Sequence, residues 1–384
     1  MENFVYQNPV KILFGRGQIA SLKDEVPATA TVLMTYGGGS IKANGVYDQV
    51  KAALAGHTLR EYGGIEPNPR YETLMPAVEL ARREGVDFLL AVGGGSVIDG
   101  TKFIAAAIPF EGEPWDILAK AAPVTKAVPL GAVLTLPATG SEMNTFAVIS
   151  RQATEEKLAF GSPLVYPKFS VLDPETTFSL PPRQVGTGIV AAFVHTVEQY
   201  LTYPADAPLQ DRFAEAIFRT LIEEGPKTLA NPRDYTARAN IMWAATMALN
   251  GLIACGVPQD WATHMIGHEL TAVTGLDHAR TLAVVLPGVL QVRRPAKRAK
   301  LLQFAARVWD VRDGSDDERI DAAIARMRAF FESLGVPTRL ASHGIGTDVA
   351  QTIARRLRDR GPVALGERQD INAETVEQIL KLCA

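Results

Sequence analysis

The chain has 384 residues, of which 47% are hydrophobic and 21% charged, and its formal net charge is −3. These values are typical of a globular protein with more than one domain. We do not expect a nucleic-acid partner, because no basic surplus is present to neutralise phosphates. No apolar run is long enough to span a membrane, and residues 1–9 lack the basic and apolar regions of a signal peptide.

The two cysteines, Cys255 and Cys383, lie far apart and in no metal-binding spacing. We expect both to be small apolar residues rather than partners in a disulfide. Cysteines that stay reduced are typical of a cytoplasmic protein.

The first half of the chain alternates short apolar runs with helical patterns. Four runs predict strands, at residues 31–35, 87–92, 128–135 and 169–172. Uninterrupted apolar strands are typical of a parallel sheet that is buried on both faces, and alternation with helices predicts right-handed crossovers. We therefore predict an open, Rossmann-like α/β domain over residues 1–180.

Strand signals stop after Pro181-Pro182, and helical spacing takes over. Polar, Gly- or Pro-containing breaks, such as Gly225-Pro226, separate most of these segments. The predicted helices cover residues 188–200, 209–222, 235–253, 260–274, 281–292, 299–308, 316–334 and 373–382. The sequence thus predicts an all-helical domain over residues 181–384.

A glycine loop, Gly93-Gly94-Gly95-Ser96, follows the second predicted strand and opens a helix. Glycines let the backbone approach an anion closely, and a helix N-terminus supplies unpaired N–H groups. The pattern favours a pyrophosphate site, although a plain tight turn would look the same. Asp99 and Lys102 follow one turn later, either facing this ligand or forming a surface salt pair.

A second glycine loop, Gly37-Gly38-Gly39-Ser40, follows the first predicted strand. NAD-selective sites carry a carboxylate near such a strand end to bind the ribose hydroxyls. This loop has none and instead carries Ser40 and Lys42, which favours NADP over NAD. A third turn, residues 135–142, is rich in hydroxyls, including Thr135 and Thr139. All three would lie at the carboxyl edge of the sheet, where ligands bind.

Four of the six histidines lie between residues 195 and 278. His264 and His268 are four residues apart on one predicted helix and so share a face, while His195 and His278 lie elsewhere. Imidazoles that converge from separate helices can build a metal site. Spacing alone leaves open that each histidine is simply hydrogen-bonded in the core.

Four segments together carry a resemblance to a known family: GGGSVIDGTK (93–102), TLPATGSEMN (135–144), AFVHTVEQY (192–200) and HMIGHEL (264–270) with His278. They resemble the iron-containing alcohol dehydrogenases, and within them the bacterial NADP-dependent butanol dehydrogenase and aldehyde reductase branch. The resemblance implies a nucleotide-binding domain, a helical domain, an active site in the cleft between them, one divalent metal (iron or zinc) and a homodimer.

The resemblance also assigns roles to individual positions. Metal ligands are implied at His195, His264 and His278, and residues beside substrate and nicotinamide at His268 and Asp99. Cofactor contacts are implied at Gly38, Ser40, Asn68, Gly94, Gly95, Ser96, Thr135, Thr139 and Lys157.

One ligand position departs from the family pattern. The family carries an aspartate four residues before the first histidine ligand, and this chain has Ala191 there. Three interpretations stay open. The change is natural and the metal is weakly bound or absent, or it was introduced to probe the ligand, or a neighbouring carboxylate or water takes its place. Glu198 is such a carboxylate, but we expect it to lie on the surface.

The implied reaction is reversible hydride transfer between a nicotinamide and a small aldehyde or alcohol, with His268, Asp99 or water as the proton donor. We expect an NADP(H)-dependent alcohol dehydrogenase or aldehyde reductase with broad tolerance for aliphatic and aromatic aldehydes. The alternatives are a metal-independent reductase or a relative of glycerol dehydrogenase or dehydroquinate synthase on the same scaffold, and a catalytically impaired nucleotide-binding protein.

Overall fold

The computed structural model describes all residues, 1–384, which form two compact units. The sheet unit comprises Gln7–Leu180 and Pro232–Thr246, and the helical unit comprises Met1–Tyr6, Pro181–Asn231 and Met247–Ala384. Eight strands are present: β1 Lys11–Phe14, β2 Thr31–Tyr36, β3 Thr58–Tyr62, β4 Phe88–Gly94, β5 Leu130–Leu136, β6 Phe146–Arg151, β7 Glu156–Gly161 and β8 Phe169–Leu172.

Fifteen α-helices accompany the strands. In chain order they are α1 Leu22–Glu25, α2 Ser40–Ala43, α3 Val46–Ala53, α4 Tyr71–Arg83, α5 Gly95–Ala107, α6 Asp116–Ala119, α7 Pro182–Tyr200, α8 Pro208–Ala230, α9 Tyr235–Ala248, α10 Ala262–Thr274, α11 His278–Val292, α12 Arg294–Arg307, α13 Asp316–Ser333, α14 Asp348–Arg360 and α15 Ala373–Lys381. None of them combines the length and the apolar character that crossing a membrane requires.

Six strands form a parallel sheet in the order β1-β8-β5-β4-β2-β3, while β6 and β7 form an antiparallel pair. The central strands are buried on both faces, as continuous apolar runs require. Leu33 and Leu89 pack into one core with α4 and α5, whereas Val32 and Leu90 pack into another with α3. The predicted open parallel sheet, followed by a helical region, is confirmed.

The division between the two units is not the predicted one at residues 180 and 181. Most of α9 belongs to the sheet unit, because Met242 is fully buried in the core beside α4 and α5. In addition, the Thr246 hydroxyl donates to Glu142 Oε1 at 2.6 Å. The first six residues belong to the helical unit, where Glu2 N donates to Gly256 O at 2.9 Å.

The helical unit is built around α7, whose side chains are buried almost without interruption from Val185 to Tyr200. The predicted break at Gly225-Pro226 is wrong, because α8 continues through it to Ala230. Gly225 packs against the side chains of Ile189 and Leu334. Cys255 and Cys383 are both free and buried.

Candidate cofactor and metal sites

The loop after β4 has the form that the sequence predicted. Strand β4 ends at Gly94, and α5 begins at Gly95 without a side-chain cap. Its first N–H groups are therefore available to an anion, and the positive end of the helix dipole favours a negative charge there. Ser96 lies in this first turn and is partly exposed. These features suit a pyrophosphate.

The two glycine loops lie side by side in the sheet unit. Cβ atoms built on Gly37 and on Gly93 would both approach Val97, at 3.7 and 2.6 Å. In the sheet order β2 and β4 are neighbours, but the chain leaves β2 for β3 on one side and leaves β4 for β5 on the other. Such a switch point opens a crevice at the carboxyl ends of the strands, which is where dinucleotides bind in open α/β sheets.

The loop after β2 presents one cation and no carboxylate of its own. Gly39 has a φ of 98°, which favours glycine, and it precedes Ser40 at the start of α2. The exposed Lys42 Nζ lies 5.1 Å from the ring centroid of Tyr36 and 4.9 Å from that of Tyr47. Its pKa is raised by the hydrogen bond to Tyr36, so this ammonium stays charged and suits a 2′-phosphate.

Gly95 is required by close packing. A Cβ there would lie 2.4 Å from Thr139 Oγ1 and 2.5 Å from Thr139 Cγ2. We expect Gly95→Ala to destabilise the protein by about 1–3 kcal/mol, the usual effect of overpacking, with partial recovery in Gly95→Ala/Thr139→Ala. Urea unfolding measures both. Gly38→Ala is the matched control, because its Cβ would meet nothing within 4 Å; equal losses at the two glycines would contradict this account.

Asp99 and Lys102 form hydrogen bonds with other groups inside the protein and do not form a surface salt pair. Lys102 is fully buried, and its Nζ donates to Asn144 O at 2.8 Å, Asn144 Oδ1 at 3.0 Å and Phe146 O at 2.9 Å. Asp99 accepts from Ser141 Oγ at 2.6 Å and from Val148 N at 3.0 Å. Burial raises the pKa of Asp99, against the opposing charge of Lys102.

The remaining cofactor positions implied by the resemblance also lie in the sheet unit. Thr135 is at the end of β5, and Thr139 follows in the loop that contacts Gly95. Asn68 has a φ of 55°, and its Oδ1 accepts from Lys157 Nζ at 2.8 Å. The structure thus brings Asn68 and Lys157 together, although they are 89 residues apart.

Four histidines converge in the helical unit, on three helices. The ring centroid of His264 lies 4.7 Å from that of His195 and 5.2 Å from that of His278, while His268 lies 5.0 Å from His278. His195, His264 and His268 are each at most 8% exposed. The indole of Trp261 packs edge-on against His264, at 5.2 Å between centroids. No sequence pattern had indicated a role for this tryptophan.

The histidine cluster offers the donor atoms that a metal ion needs, but not yet their convergence on one point. Three neutral imidazoles with an open fourth place are a ligand set for catalytic zinc, so the donor chemistry fits. The ring orientations do not yet converge: His195 and His264 lie nearly face to face, with 24° between their planes. As the side chains stand, no group of three or more His, Cys, Asp or Glu residues is arranged to hold a metal.

Ala191 lies on α7, one turn before His195, and is only 3% exposed. Its methyl group cannot coordinate a metal, so this position offers no carboxylate where the resemblance implies one. Iron sites that mix histidine with a carboxylate depend on that ligand more than zinc sites do. Nothing else in the structure explains the alanine.

The expectation that Glu198 lies on the surface is wrong. Glu198 is 1% exposed, and it accepts hydrogen bonds from the backbone of Thr263 at 2.6 Å and of His264 at 3.4 Å. Its other carboxylate oxygen contacts His264 Nδ1. Burial raises the pKa of Glu198 to about 8, although the two N–H donors oppose the shift. A position three residues after His195 could not reveal these partners, because they come from α10.

Further buried charges lie beside this group, and the sequence did not indicate them. Lys297 Nζ lies 2.8 Å from both Asp260 Oδ2 and Glu367 Oε1, and it donates to Leu201 O at 2.6 Å. Lys297 is 1% exposed. It lies in a basic segment, Arg293 to Lys300, whose composition is typical of a solvated helix face.

Comparison with known proteins bears directly on the predicted family. Residues 9–174 match the family described as "Iron-containing alcohol dehydrogenase", and residues 185–383 match "Fe-containing alcohol dehydrogenase family, C-terminal". The chain is 60% identical to the NADPH-dependent aldehyde reductase YqhD of Escherichia coli K12 over 99% of both chains. It is 44% identical to a probable NADH-dependent butanol dehydrogenase of Bacillus subtilis, again over 99% of both.

Solved structures agree with these matches. The crystal structure of E. coli K-12 YqhD has a TM-score of 0.98 and 58% identity, covering 100% of this chain and 99% of the other. NADH-dependent butanol dehydrogenase A of Thermotoga maritima has a TM-score of 0.95 and 38% identity, with the same coverage. The family and the class of enzyme predicted from the sequence are confirmed: this chain is a member of the iron-containing alcohol dehydrogenase family.

Proposed function

We propose that the protein is an NADPH-dependent aldehyde reductase that also catalyses the reverse oxidation of alcohols. The observation that carries the proposal is that one chain combines two glycine loops at the switch point of a parallel sheet with a buried cluster of four imidazoles. Similarity to an NADPH-dependent aldehyde reductase at 60% identity supports it. Small aliphatic and aromatic aldehydes are the proposed substrates, and a cytoplasmic homodimer is the proposed form.

A bound nicotinamide cofactor would supply the hydride for the carbonyl carbon, and the carbonyl oxygen would take up a proton to give the alcohol. The N–H groups at the start of α5 would hold the pyrophosphate, and Ser40 with Lys42 would hold the 2′-phosphate. These contacts fix the position of the cofactor, and Asn68, Thr135, Thr139 and Lys157 are proposed as further contacts to it.

His268 is the proposed proton donor. It lies one turn after His264 on α10, beside His278. The ordinary pKa of histidine lies near neutrality, which suits a group that must give and regain a proton. Asp99 is the weaker candidate, because both of its oxygens already accept hydrogen bonds from the protein.

His195, His264 and His278 would hold a divalent metal, for which we propose zinc because three imidazoles suffice to bind it. Such an ion supplies a Lewis acid that stabilises the negative charge on the carbonyl oxygen. The absence of a carboxylate at Ala191 and the stacked ring orientations favour a second candidate, a metal-independent reductase on the same scaffold.

An assay of NADPH oxidation with butyraldehyde tests the proposal. Turnover that needs added zinc or iron supports the metal-assisted enzyme, and full turnover after exhaustive chelation supports the metal-independent one. Cofactor binding without turnover under either condition would contradict the proposed function and leave a nucleotide-binding protein.

Lys42 provides a test of cofactor choice. We expect Lys42→Glu to raise the KM for NADPH by about tenfold, because attraction to the 2′-phosphate becomes repulsion, and to leave the KM for NADH nearly unchanged. Steady-state kinetics with both cofactors measure this. Lys51→Glu is the control, since Lys51 Nζ also lies near Tyr47, at 5.3 Å from its ring centroid, but outside the loop. A parallel change for both cofactors would rule out a 2′-phosphate contact.

A further inference from the structure

Glu198 stands between two helices that carry the histidine cluster. It lies on α7 three residues after His195, and the hydrogen bonds of its carboxylate go to the first turn of α10. One oxygen accepts from the backbone of Thr263 and His264, and the other contacts His264 Nδ1. Both oxygens therefore face α10, so Glu198 does not replace the missing aspartate as a ligand.

The end of α7 that carries Glu198 is held in place by buried charges. Asp260 N donates to Glu198 O at 2.8 Å, and Lys297 donates to Leu201 O, just after the helix. Lys297 is in turn bound by Asp260 and Glu367. Hydrogen bonds thus hold both the backbone and the carboxylate of Glu198 in place. A carboxylate held in this way can fix the orientation of the His264 ring.

We propose that Glu198 is a positioning residue that sets the tautomer of His264: its carboxylate accepts the Nδ1 proton, so that Nε2 is the nitrogen that ligates. The inference rests on the proposed function only in taking a metal as the group that His264 binds. A carboxylate behind a histidine ligand fixes the ring and raises its basicity. Here Glu198 is also the carboxylate that contacts a candidate ligand, in a site where the resemblance implies an aspartate and the chain has Ala191.

Glu198→Gln is the most informative variant, because the neighbouring groups determine which end of its amide faces His264. The backbone N–H groups of Thr263 and His264 require an oxygen beside them. The NH2 group of the glutamine then faces Nδ1 of His264 and can only donate to it. An isosteric substitution should thus invert the tautomer and place the proton on Nε2.

The first test reads the tautomer directly in metal-free protein by long-range ¹H–¹⁵N NMR of the histidine rings at pH 9, well above the ordinary pKa of histidine. We expect Nδ1–H at His264 in the unmodified protein and Nε2–H in Glu198→Gln. An Nε2–H form in the unmodified protein overturns the proposal without any variant, and an unchanged tautomer in Glu198→Gln overturns it as well.

The second test measures zinc affinity by competition with a chelator. We expect Glu198→Gln to weaken binding by about 10- to 100-fold, as loss of an outer-shell partner does. Glu215→Gln is the matched control: Glu215 is also a buried carboxylate of the helical unit, but it binds Tyr200 and Arg307 instead of an imidazole. Equal affinities in the unmodified protein and Glu198→Gln, or equal losses in both variants, overturn the proposal.

The two tests separate the inference from the proposed function. If the unmodified protein shows the Nδ1–H form but binds neither zinc nor cobalt(II), the orientation of His264 stands and the metal-assisted reaction fails.

Discussion

Replacing Ala191 with aspartate is expected to raise the affinity for a divalent metal by about 100-fold or more, because a direct ligand should matter at least as much as an outer-shell partner, whose loss costs about 10- to 100-fold. The substitution adds an anionic oxygen one turn before His195, on a helix that already carries a candidate ligand. Zinc and iron content after dialysis, together with kcat/KM for butyraldehyde, measures the effect. The gain should be larger for iron, which favours mixed histidine and carboxylate ligands.

Ala191→Asn is the matched control, because it has nearly the same shape but no charge. We expect it to gain little metal. If Ala191→Asp changes neither metal content nor rate, the three histidines do not form the metal site. An equal gain in both variants would show that the added oxygen matters and the charge does not.

Lys297→Met is expected to lower the free energy of unfolding by about 3–5 kcal/mol, the usual effect of breaking a buried ion pair. Lys297 is 1% exposed and bridges Asp260 and Glu367, so its removal leaves two buried carboxylates without a cation. Urea unfolding measures the loss. Lys381→Met, at an exposed pair with Glu377, is the control and should change little.

The loss at Lys297 should also depend on pH. Burial raises the pKa of Asp260, and Lys297 opposes this shift, so the pKa rises further in the variant. A carboxyl whose folded-state pKa is raised contributes stability below its unfolded pKa, about 4, and loses it as the pH rises through the folded value. Lys297→Met should therefore be less destabilising at pH 5 than at pH 8. If the loss of unfolding free energy did not depend on pH, it would come from packing and not from charge.

The sheet core was predictable because its signal is local. Strands β2, β4, β5 and β8 are largely apolar runs, and each is closed by glycine, proline or aspartate at its last residue or directly after it. The edge strands β1 and β3 are short and partly exposed, so no such run marks them. The break predicted in α8 failed because tertiary contacts of Gly225 outweigh its low helix propensity.

The site was predictable only where residue type itself carries the chemistry. The convergence of the histidines was predictable because imidazole is a common metal-binding group, and the glycine loops because glycine lets the backbone approach an anion closely. Glu198 was misjudged and Lys297 overlooked, because their partners lie far away along the chain. A charged residue in an amphipathic segment looks solvated unless the residue that neutralises it is known.

The placement of α9 has a consequence for how the protein is made. The chain leaves the sheet unit after residue 180, enters it again at residue 232, and leaves it for good after residue 246. Synthesis runs from the N-terminus, so the nascent sheet lacks the Met242 side chain in its core until more than half of the protein has emerged from the ribosome. Cutting the gene at the end of β8 would yield a fragment with an open apolar face, prone to capture by chaperones or to aggregation.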